Sequence, residues 1–353
     1  MNATTTVIRD ATVLFGRPPA VVERASLVLH GNLVAGIGIP PPRAAESLDG
    51  SGLLLVPGFV DAHVHIAFAD PGEVVRGGVT TVRDLGWPQT EIFELARRSR
   101  AAALDGPEIL CVGPILTAPG GYPTRAAWAP PGTGHEVRGP EEAAAVVDSL
   151  SGAGAAAIKV ALDPPAGPVF DHATLAAVVS AAHGRGLKVT AHVYGIDELR
   201  KAIACGVDEL AHMLMSEEEL SGDLVAAMVS AGMAVVPTLS IRFGRDREIA
   251  IANLARFRAA RGTVVYGTDL GNEGPRPGID PSEVAAMTAA GFTATEVVGA
   301  ATTVAAEHLG LPSKGALAEG MDADVVAVPV DALADPVKLC DVRMVWRAGR
   351  RVA

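Results

Sequence analysis

The sequence contains few cysteines. Cys111, Cys205 and Cys340 are scattered through 353 residues, and an odd, scattered set does not make a disulfide framework. A reducing cytoplasm is therefore expected. Each cysteine lies in or beside an apolar segment, which favours inert packing over a role as nucleophile.

Positive charge is also scarce. The chain has 29 lysine and arginine residues and 40 acidic residues, which gives a net charge of −11. Without a basic cluster, this charge argues against nucleic acid or an anionic membrane surface as partner. No apolar run reaches the ~18 residues that a spanning helix needs, and no signal peptide is evident. The alanine-rich helices are compatible with a homo-oligomer, but no feature fixes a symmetry.

What the chain does have is enough apolar sequence for a large core, with 49% hydrophobic residues. Short β-prone runs separated by turn residues occur at both ends of the chain. We expect them to form one small β-sandwich from residues 1–55 and 316–353. Such a domain leaves residues 56–315 as an inserted middle segment.

The middle segment alternates strand-like and helix-like stretches. The apolar run before His63 is the first of eight candidate strands, and the others are 79–84, 109–113, 156–160, 188–192, 209–212, 234–238 and 263–269. Alanine-rich helices lie between them. This alternation predicts a parallel sheet, and eight units predict a (β/α)8 TIM barrel. An open doubly wound sheet is the alternative, but no Gly-x-Gly-x-x-Gly follows a first strand.

His63 and His65 are the most informative residues. Alternate residues of a strand point to the same face, so both imidazoles project together and form half of a divalent-metal site. They lie at the carboxyl end of a buried strand, where barrel enzymes place catalytic groups. A His-x-His pair alone remains weak evidence.

Lys159, His192, His212 and Asp269 stand at equivalent ends of later candidate strands. Polar groups from so many strands would converge at one end of the barrel. Burying them there costs free energy unless they are paired or bind a metal ion. A metal is the simplest explanation for all of them. Individually, Lys159 could pair with a carboxylate, the histidines could be core residues, and Asp269 could cap a helix.

Asp84 ends the second candidate strand. It is expected either to orient a ligand histidine or to form a buried ion pair with Arg83.

Several motifs resemble those of the amidohydrolase superfamily, in particular its prolidase-like and imidazolonepropionase-like branch. They are Pro57-Gly-Phe-Val-Asp-Ala-His-Val-His, Gly77-Gly-Val-Thr-Thr-Val-Arg-Asp-Leu-Gly, Gly106-Pro-Glu-Ile-Leu, Thr190-Ala-His, Glu209-Leu-Ala-His, Gly267-Thr-Asp and Gly315-Ala-Leu-Ala-Glu-Gly-Met-Asp-Ala-Asp-Val-Val.

The resemblance implies a metal centre with two divalent ions, expected to be zinc. His63, His65 and Asp269 would hold one ion. His192 and His212 would hold the other. Lys159 would be carboxylated and bridge them. A bridging hydroxide would be the nucleophile, with Asp269 as general base and then acid.

The implied reaction is cleavage of a C–N amide bond in a small-molecule, peptide or peptide-like substrate. Release of a C-terminal residue or trimming of a modified natural-product peptide would fit. The alternatives are a cyclic-amide hydrolase or heterocycle deaminase, and a catalytically inactive binding barrel. Deaminases of this superfamily usually lack the bridging lysine, so Lys159 counts against deamination.

Candidate substrate contacts are Tyr122, Arg125, His135, Tyr194 and Arg242. Tyr194 stands where many prolidase-like members carry histidine, and Tyr122 follows Gly120-Gly121 where they often read Gly-Gly-His-Gly. Arg125 and Arg242 could clamp a carboxylate bidentately, with a solvated surface role as the alternative. His135 lies in the long Gly/Pro-rich loop 117–139 and could touch substrate.

Overall fold

The computed structural model describes residues 4–40, 45–101, 104–214 and 219–353. The chain divides into two compact units, one of residues 1–61, 69–81 and 276–353 and one of residues 62–68 and 82–275. The expected domain boundaries at residues 55/56 and 315/316 stay a prediction.

The strands are β1 (Thr5–Phe15), β2 (Ala20–His30), β3 (Leu33–Ile37), β4 (Glu46–Asp49), β5 (Leu53–Pro57), β6 (Phe59–Val64), β7 (Val79–Asp84), β8 (Glu108–Cys111), β9 (Ile115–Thr117), β10 (Gly134–Glu136), β11 (Ile158–Leu162), β12 (Val189–Val193), β13 (Glu209–Leu210), β14 (Ala234–Val235), β15 (Val325–Pro329), β16 (Met344–Arg347) and β17 (Arg350–Arg351).

The helices are α1 (Pro71–Arg76), α2 (Gln89–Arg100), α3 (Pro140–Ala153), α4 (His172–Gly184), α5 (Ile196–Cys205), α6 (Gly222–Ser230), α7 (Gly244–Ala259), α8 (Pro281–Ala289), α9 (Ala294–Ala300) and α10 (Thr303–Leu309). Short 3₁₀ turns span Ile66–Phe68, Pro164–Ala166, Leu239–Ile241, Val330–Leu333 and Pro336–Cys340. Within the described ranges, none of the helices is both long and apolar enough to cross a bilayer.

The first unit contains an eight-stranded sheet in the order β17-β16-β15-β5-β1-β2-β3, with β4 also paired to β1. Strands from both ends of the chain share this sheet, because β15 pairs antiparallel with β5. Its apolar face buries Ile8, Leu27, Leu55, Val325 and Trp346 in one cluster. Pairing through the sheet therefore joins segments that are far apart in sequence.

The second unit is built from parallel strands and intervening helices. Strands β9, β11, β12, β13 and β14 are neighbours and pair parallel. Every residue of β11 is buried, as expected of a parallel strand that is covered on both faces. Parallel neighbours need a crossover connection, and α4, α5 and α6 provide it between β11, β12, β13 and β14.

The last expected strand, 263–269, is not a regular strand. Val264 forms an isolated bridge with Val235, and Leu270 forms one with Val64. The chain leaves the extended conformation at Asp269, whose φ is 60°. The prediction of a continuous strand was wrong, because an apolar run followed by Gly-Thr-Asp does not reveal this left-handed residue.

We expect Gly267→Ala to destabilise the protein. A Cβ at position 267 would lie 2.3 Å from Val236 Cγ1 and 3.0 Å from the backbone nitrogen of His63. Overpacking of this kind typically costs about 1–3 kcal/mol, so thermal unfolding should shift to lower temperature.

Gly299→Ala is the matched control. A Cβ there meets no atom within 4 Å outside its own helix, and alanine in a helix interior is favoured over glycine by roughly 0.5–1 kcal/mol. Equal melting temperatures for the two variants would contradict the assigned crowding at Gly267.

Candidate metal centre

Three buried side chains converge at the carboxyl end of β6. Asp269 Oδ1 lies 3.2 Å from His63 Nε2 and 3.3 Å from His65 Nε2. Each residue offers one ligand atom, and these atoms lie within 4.8 Å of one another. Two imidazoles and a carboxylate form a ligand set suited to a divalent ion.

Backbone hydrogen bonds hold these three residues together. The Asp269 N–H donates to the His63 carbonyl at 2.7 Å, and the His65 N–H donates to the Leu270 carbonyl at 2.6 Å. Asp269 has a positive φ, which a non-glycine residue adopts at a cost unless its surroundings enforce it. The two flanking bonds enforce it here and aim the carboxylate at the histidines.

Carbonyl groups fix which nitrogen of each histidine faces the carboxylate. His63 Nδ1 lies 2.8 Å from the Ala211 carbonyl and His65 Nδ1 lies 3.2 Å from the Gly86 carbonyl. A carbonyl only accepts, so each Nδ1 carries hydrogen, and in the neutral form of each ring the lone pair of Nε2 faces Asp269. Asp269 Oδ1 has no hydrogen-bond partner among the described residues. Three electron-pair donors that face one another in this way fit a cation between them.

Burial and charge set the protonation of this group. Burial lowers the pKa of His63 well below its usual value, which favours the neutral ligand form. Burial also acts against a charged His65, but the Asp269 carboxylate raises the pKa of His65 overall. Although burial alone would raise it, the pKa of Asp269 is lowered by His63 and His65, so the carboxylate is ionised at neutral pH.

His192 and His212 form a second pair beside the first group. The His212 ring centroid lies 4.8 Å from that of His63 and 4.9 Å from that of His192. His212 Nδ1 lies 2.8 Å from Thr238 Oγ1, and His192 Nε2 lies 3.1 Å from Asp163 Oδ2. These partners leave Nε2 of His212 and Nδ1 of His192 as the nitrogens that could bind a metal ion.

Lys159 lies within the same pocket on β11. Its side chain is only 2% exposed, and Nζ makes no hydrogen bond within the part of the chain that the structure describes. Burial lowers the pKa of Lys159 to about 7, so that a large share of the amine is uncharged at neutral pH. An uncharged amine is the form that reacts with carbon dioxide to give a carbamate, an anionic oxygen ligand.

A buried ion pair joins several of the ligand-bearing strands. Arg83 donates to Glu209 Oε1 at 2.6 Å and, through Nε, to the Ala62 carbonyl at 2.8 Å. Thr190 Oγ1 donates to the same Glu209 oxygen at 2.5 Å. The alternative of an Arg83–Asp84 pair was wrong, because neighbouring strand residues point to opposite faces.

Asp84 instead holds the backbone around His65. It accepts from the N–H of Ile66 at 2.8 Å and from the N–H of Gly86 at 3.0 Å. Because the Gly86 carbonyl binds His65 Nδ1, Asp84 positions the His65 ring through one intervening residue. This agrees with the orienting role expected for it.

All six predicted metal residues line one cavity of about 260 Å³, namely His63, His65, Lys159, His192, His212 and Asp269. Their convergence matches the sequence expectation, while their roles as ligands stay a prediction. A neighbouring cavity of about 330 Å³ shares His192 and His212 with the first.

The predicted substrate contacts divide into two groups. Tyr122 lines the first cavity, Tyr194 lines the second, and Arg242 lines both. Burial raises the pKa of Tyr122 to about 12, so its phenol remains a donor. Arg125 and His135 are exposed and lie outside the residues that line these two cavities.

Phe68, Trp128 and Asp163 also border these cavities, and the sequence interpretation missed them. Asp163 had a usable signal, since it is a carboxylate residue that directly follows β11. Trp128 had none, because it lies within a long loop whose path the sequence does not indicate.

Comparison with known proteins gives the family. Residues 54–352 match the model of the amidohydrolase family, and the chain belongs to that family. It is accordingly a hydrolase that acts on C–N bonds. The resemblance drawn from the motifs is confirmed.

The chain is 29% identical over 351 residues to an uncharacterized protein of Mycobacterium tuberculosis (strain ATCC 25618 / H37Rv), covering 89% of each. It is 32% identical over 187 residues to imidazolonepropionase of Deinococcus deserti, covering 50% of this chain and 44% of that protein. The crystal structure of a Xaa-Pro dipeptidase with bound methionine aligns with a TM-score of 0.85 at 23% identity, over 99% of each chain. The structural likeness establishes the fold.

We expect Asp269→Asn to lower the zinc content of the purified protein, because an amide is a weaker ligand than an ionised carboxylate. Elemental analysis and the rise in melting temperature on adding zinc measure this, since a bound ion stabilises only the folded state. Asp223→Asn, at an exposed position in the first turn of α6, is the control and should bind zinc like the wild type. Equal zinc content in both variants would contradict the assignment of Asp269.

Proposed function

We propose that this chain is a zinc-dependent amidohydrolase that cleaves an amide bond in a peptide or peptide-like substrate. The observation that carries the proposal is the convergence of six ligand-type side chains on one buried cavity. Both Asp269 Oδ1 and Lys159 Nζ lie there without a hydrogen-bond partner among described residues. Buried polar atoms of this kind are costly unless a missing group satisfies them.

The donor set supports two ions. His63, His65 and Asp269 would hold one, His192 and His212 the other, and a carboxylated Lys159 would bridge both. Ions held there would activate a water molecule and polarise the scissile carbonyl.

Asp269 is suited to move the proton. Its carboxylate is ionised, and Oδ2 lies 3.9 Å from His212 Nδ1, on the side of the second histidine pair. It would take a proton from the attacking water as general base and return it to the leaving nitrogen as general acid. The leaving group would then depart as a neutral amine.

Arg242 supports a substrate with a free carboxylate. It is partly buried, and its Nε makes no hydrogen bond within the described ranges. Since a guanidinium binds a carboxylate through paired hydrogen bonds, Arg242 would hold the C-terminal residue that is released, or the terminus of a modified peptide that is trimmed.

We infer as well that the parallel strands close into a TIM barrel. The Ala156 N–H donates to the Cys111 carbonyl at 2.8 Å, which links β8 to the segment before β11. The Ala62 N–H donates to the Tyr266 carbonyl at 3.0 Å. These bonds support a continuous ring with the ligands at its carboxyl end.

We expect Asp269→Asn to lower kcat/KM for amide hydrolysis by about 10²–10⁴-fold, the usual contribution of a general acid–base group. The assay measures amine release from N-acylated amino acids, dipeptides and longer peptides by zinc-loaded enzyme, with Asp223→Asn as control. Ammonia release from heterocycles without amide cleavage would support deamination instead. A folded wild-type protein that binds no metal would favour an inactive binding barrel.

A separate expectation concerns Lys159. Reconstitution with zinc in buffer depleted of carbon dioxide should give at most one tightly bound ion per chain, and added bicarbonate should restore the second. Lys159→Ala should show no response to bicarbonate. A wild-type zinc content that is independent of bicarbonate would contradict carboxylation.

A further inference from the structure

Aromatic side chains gather beside the predicted metal residues. The chain has three tryptophans, and two of them, Trp87 and Trp128, lie here with Phe68 and Tyr122. We call these four residues the aromatic wall. They come from different loops that follow β6, β7 and β9, so their meeting is a product of the fold and not of one aromatic segment.

The rings of the wall contact one another and the ligand histidines. Trp128 lies 5.2 Å from His65 between ring centroids. Tyr122 stacks on His192 at 5.1 Å and lies 6.2 Å from Trp128. Two wall residues therefore flank ligands of both predicted ions, and a group bound between them would adjoin the scissile bond.

Phe68 extends the wall towards solvent. Its ring lies 6.4 Å from that of Trp128 and packs edge-on against Trp87 at 5.0 Å. Phe68 nevertheless remains 48% exposed and lines the cavity. Aromatic side chains that line a cavity are typical of pockets that bind small ligands.

The cavity also has polar side chains. Arg242 and Asn272 line it, and Arg242 also lines the second cavity, together with Asp163 and Tyr194. The pocket thus combines aromatic side chains and a guanidinium group around the predicted metal residues.

We propose that the aromatic wall binds an aromatic acyl group, so that the preferred substrates are N-aroyl amino acids or peptides. This rests on the proposed hydrolase function. With the carboxylate at Arg242 and the amide at the metal residues, the acyl part would lie against Trp128 and Tyr122, which contact His65 and His192. A planar ring can make stacked and edge-on contacts with these side chains that an aliphatic group of similar size cannot.

A cationic ligand is the other chemistry that aromatic rings attract. Arg242 lies in the same cavity, and the metal residues would hold further positive charge beside the wall. Both would repel a cation, which favours a neutral ring.

The test uses ketones in which a CH₂ group replaces the amide NH, so that binding is measured without cleavage. The probes are 4-oxo-4-phenylbutanoate, 4-cyclohexyl-4-oxobutanoate and 4-oxopentanoate, titrated by calorimetry into zinc-loaded protein. The phenyl ketone should bind about tenfold more tightly than 4-oxopentanoate and several-fold more tightly than the cyclohexyl ketone.

Variants of Trp128 and Arg242 distinguish the contribution of the aromatic wall to ketone affinity from that of the guanidinium group. Trp128→Ala should weaken the phenyl ketone about tenfold and leave 4-oxopentanoate unchanged, while Trp128→Phe should retain most of the affinity. Arg242→Met should weaken both ketones by the same factor. Val21→Ala, at a 50% exposed position on β2, is the control and should bind like the wild type.

Equal affinity for the phenyl and cyclohexyl ketones, or equal losses for both ketones in Trp128→Ala, would overturn the aromatic subsite. Hydrolysis of N-benzoylglycine and N-acetylglycine is then compared in the same preparations. Selective binding of the phenyl ketone with neither amide cleaved would overturn the proposed cleavage of N-acylated amino acids, while the ring preference stands. Faster cleavage of N-benzoylglycine, reversed by Trp128→Ala, would support both.

Discussion

The structure depends on one electrostatic constraint, the burial of electron-pair donors that face one another. Asp269 Oδ1 lies within about 3.3 Å of Nε2 of both His63 and His65, and the backbone carbonyls bound at each Nδ1 keep those lone pairs turned inward. Such a group is costly to bury unless a cation neutralises it. Backbone hydrogen bonds at the end of β6 hold this arrangement, together with the left-handed backbone conformation of Asp269.

Residues around the predicted ligands are also held in fixed positions. Thr238, whose hydroxyl meets His212, has a φ of 47°, so a second non-glycine residue in the left-handed region lies at the site. Such strain persists where surrounding structure determines the conformation, and it clusters at functional sites. The buried Arg83–Glu209 ion pair connects β7 to β13. Holding these strained conformations costs folding free energy, and it keeps the donor atoms in position.

The sequence predicted that the six side chains converge, because strand periodicity and strand order determine their positions, and their roles as ligands stay a prediction. His63 and His65 share a face by their spacing, and Lys159 is brought near them by parallel pairing. The conformation of segment 263–269 was harder to predict. It forms single hydrogen bonds and isolated bridges to its neighbours instead of a regular strand pairing. Trp128 and the partner of Arg83 were not predictable, because they depend on a loop path and on a contact between residues 126 positions apart.

The most direct test is anomalous X-ray diffraction at the zinc absorption edge on crystals of the zinc-reconstituted protein. The account predicts one peak about 2.0–2.2 Å from His63 Nε2, His65 Nε2 and an Asp269 oxygen, and a second at the same distance from His192 and His212. It also predicts density for a carbamate on Lys159 between the two peaks. Zinc bound elsewhere, or an ordered pocket without any zinc peak under these conditions, would contradict it.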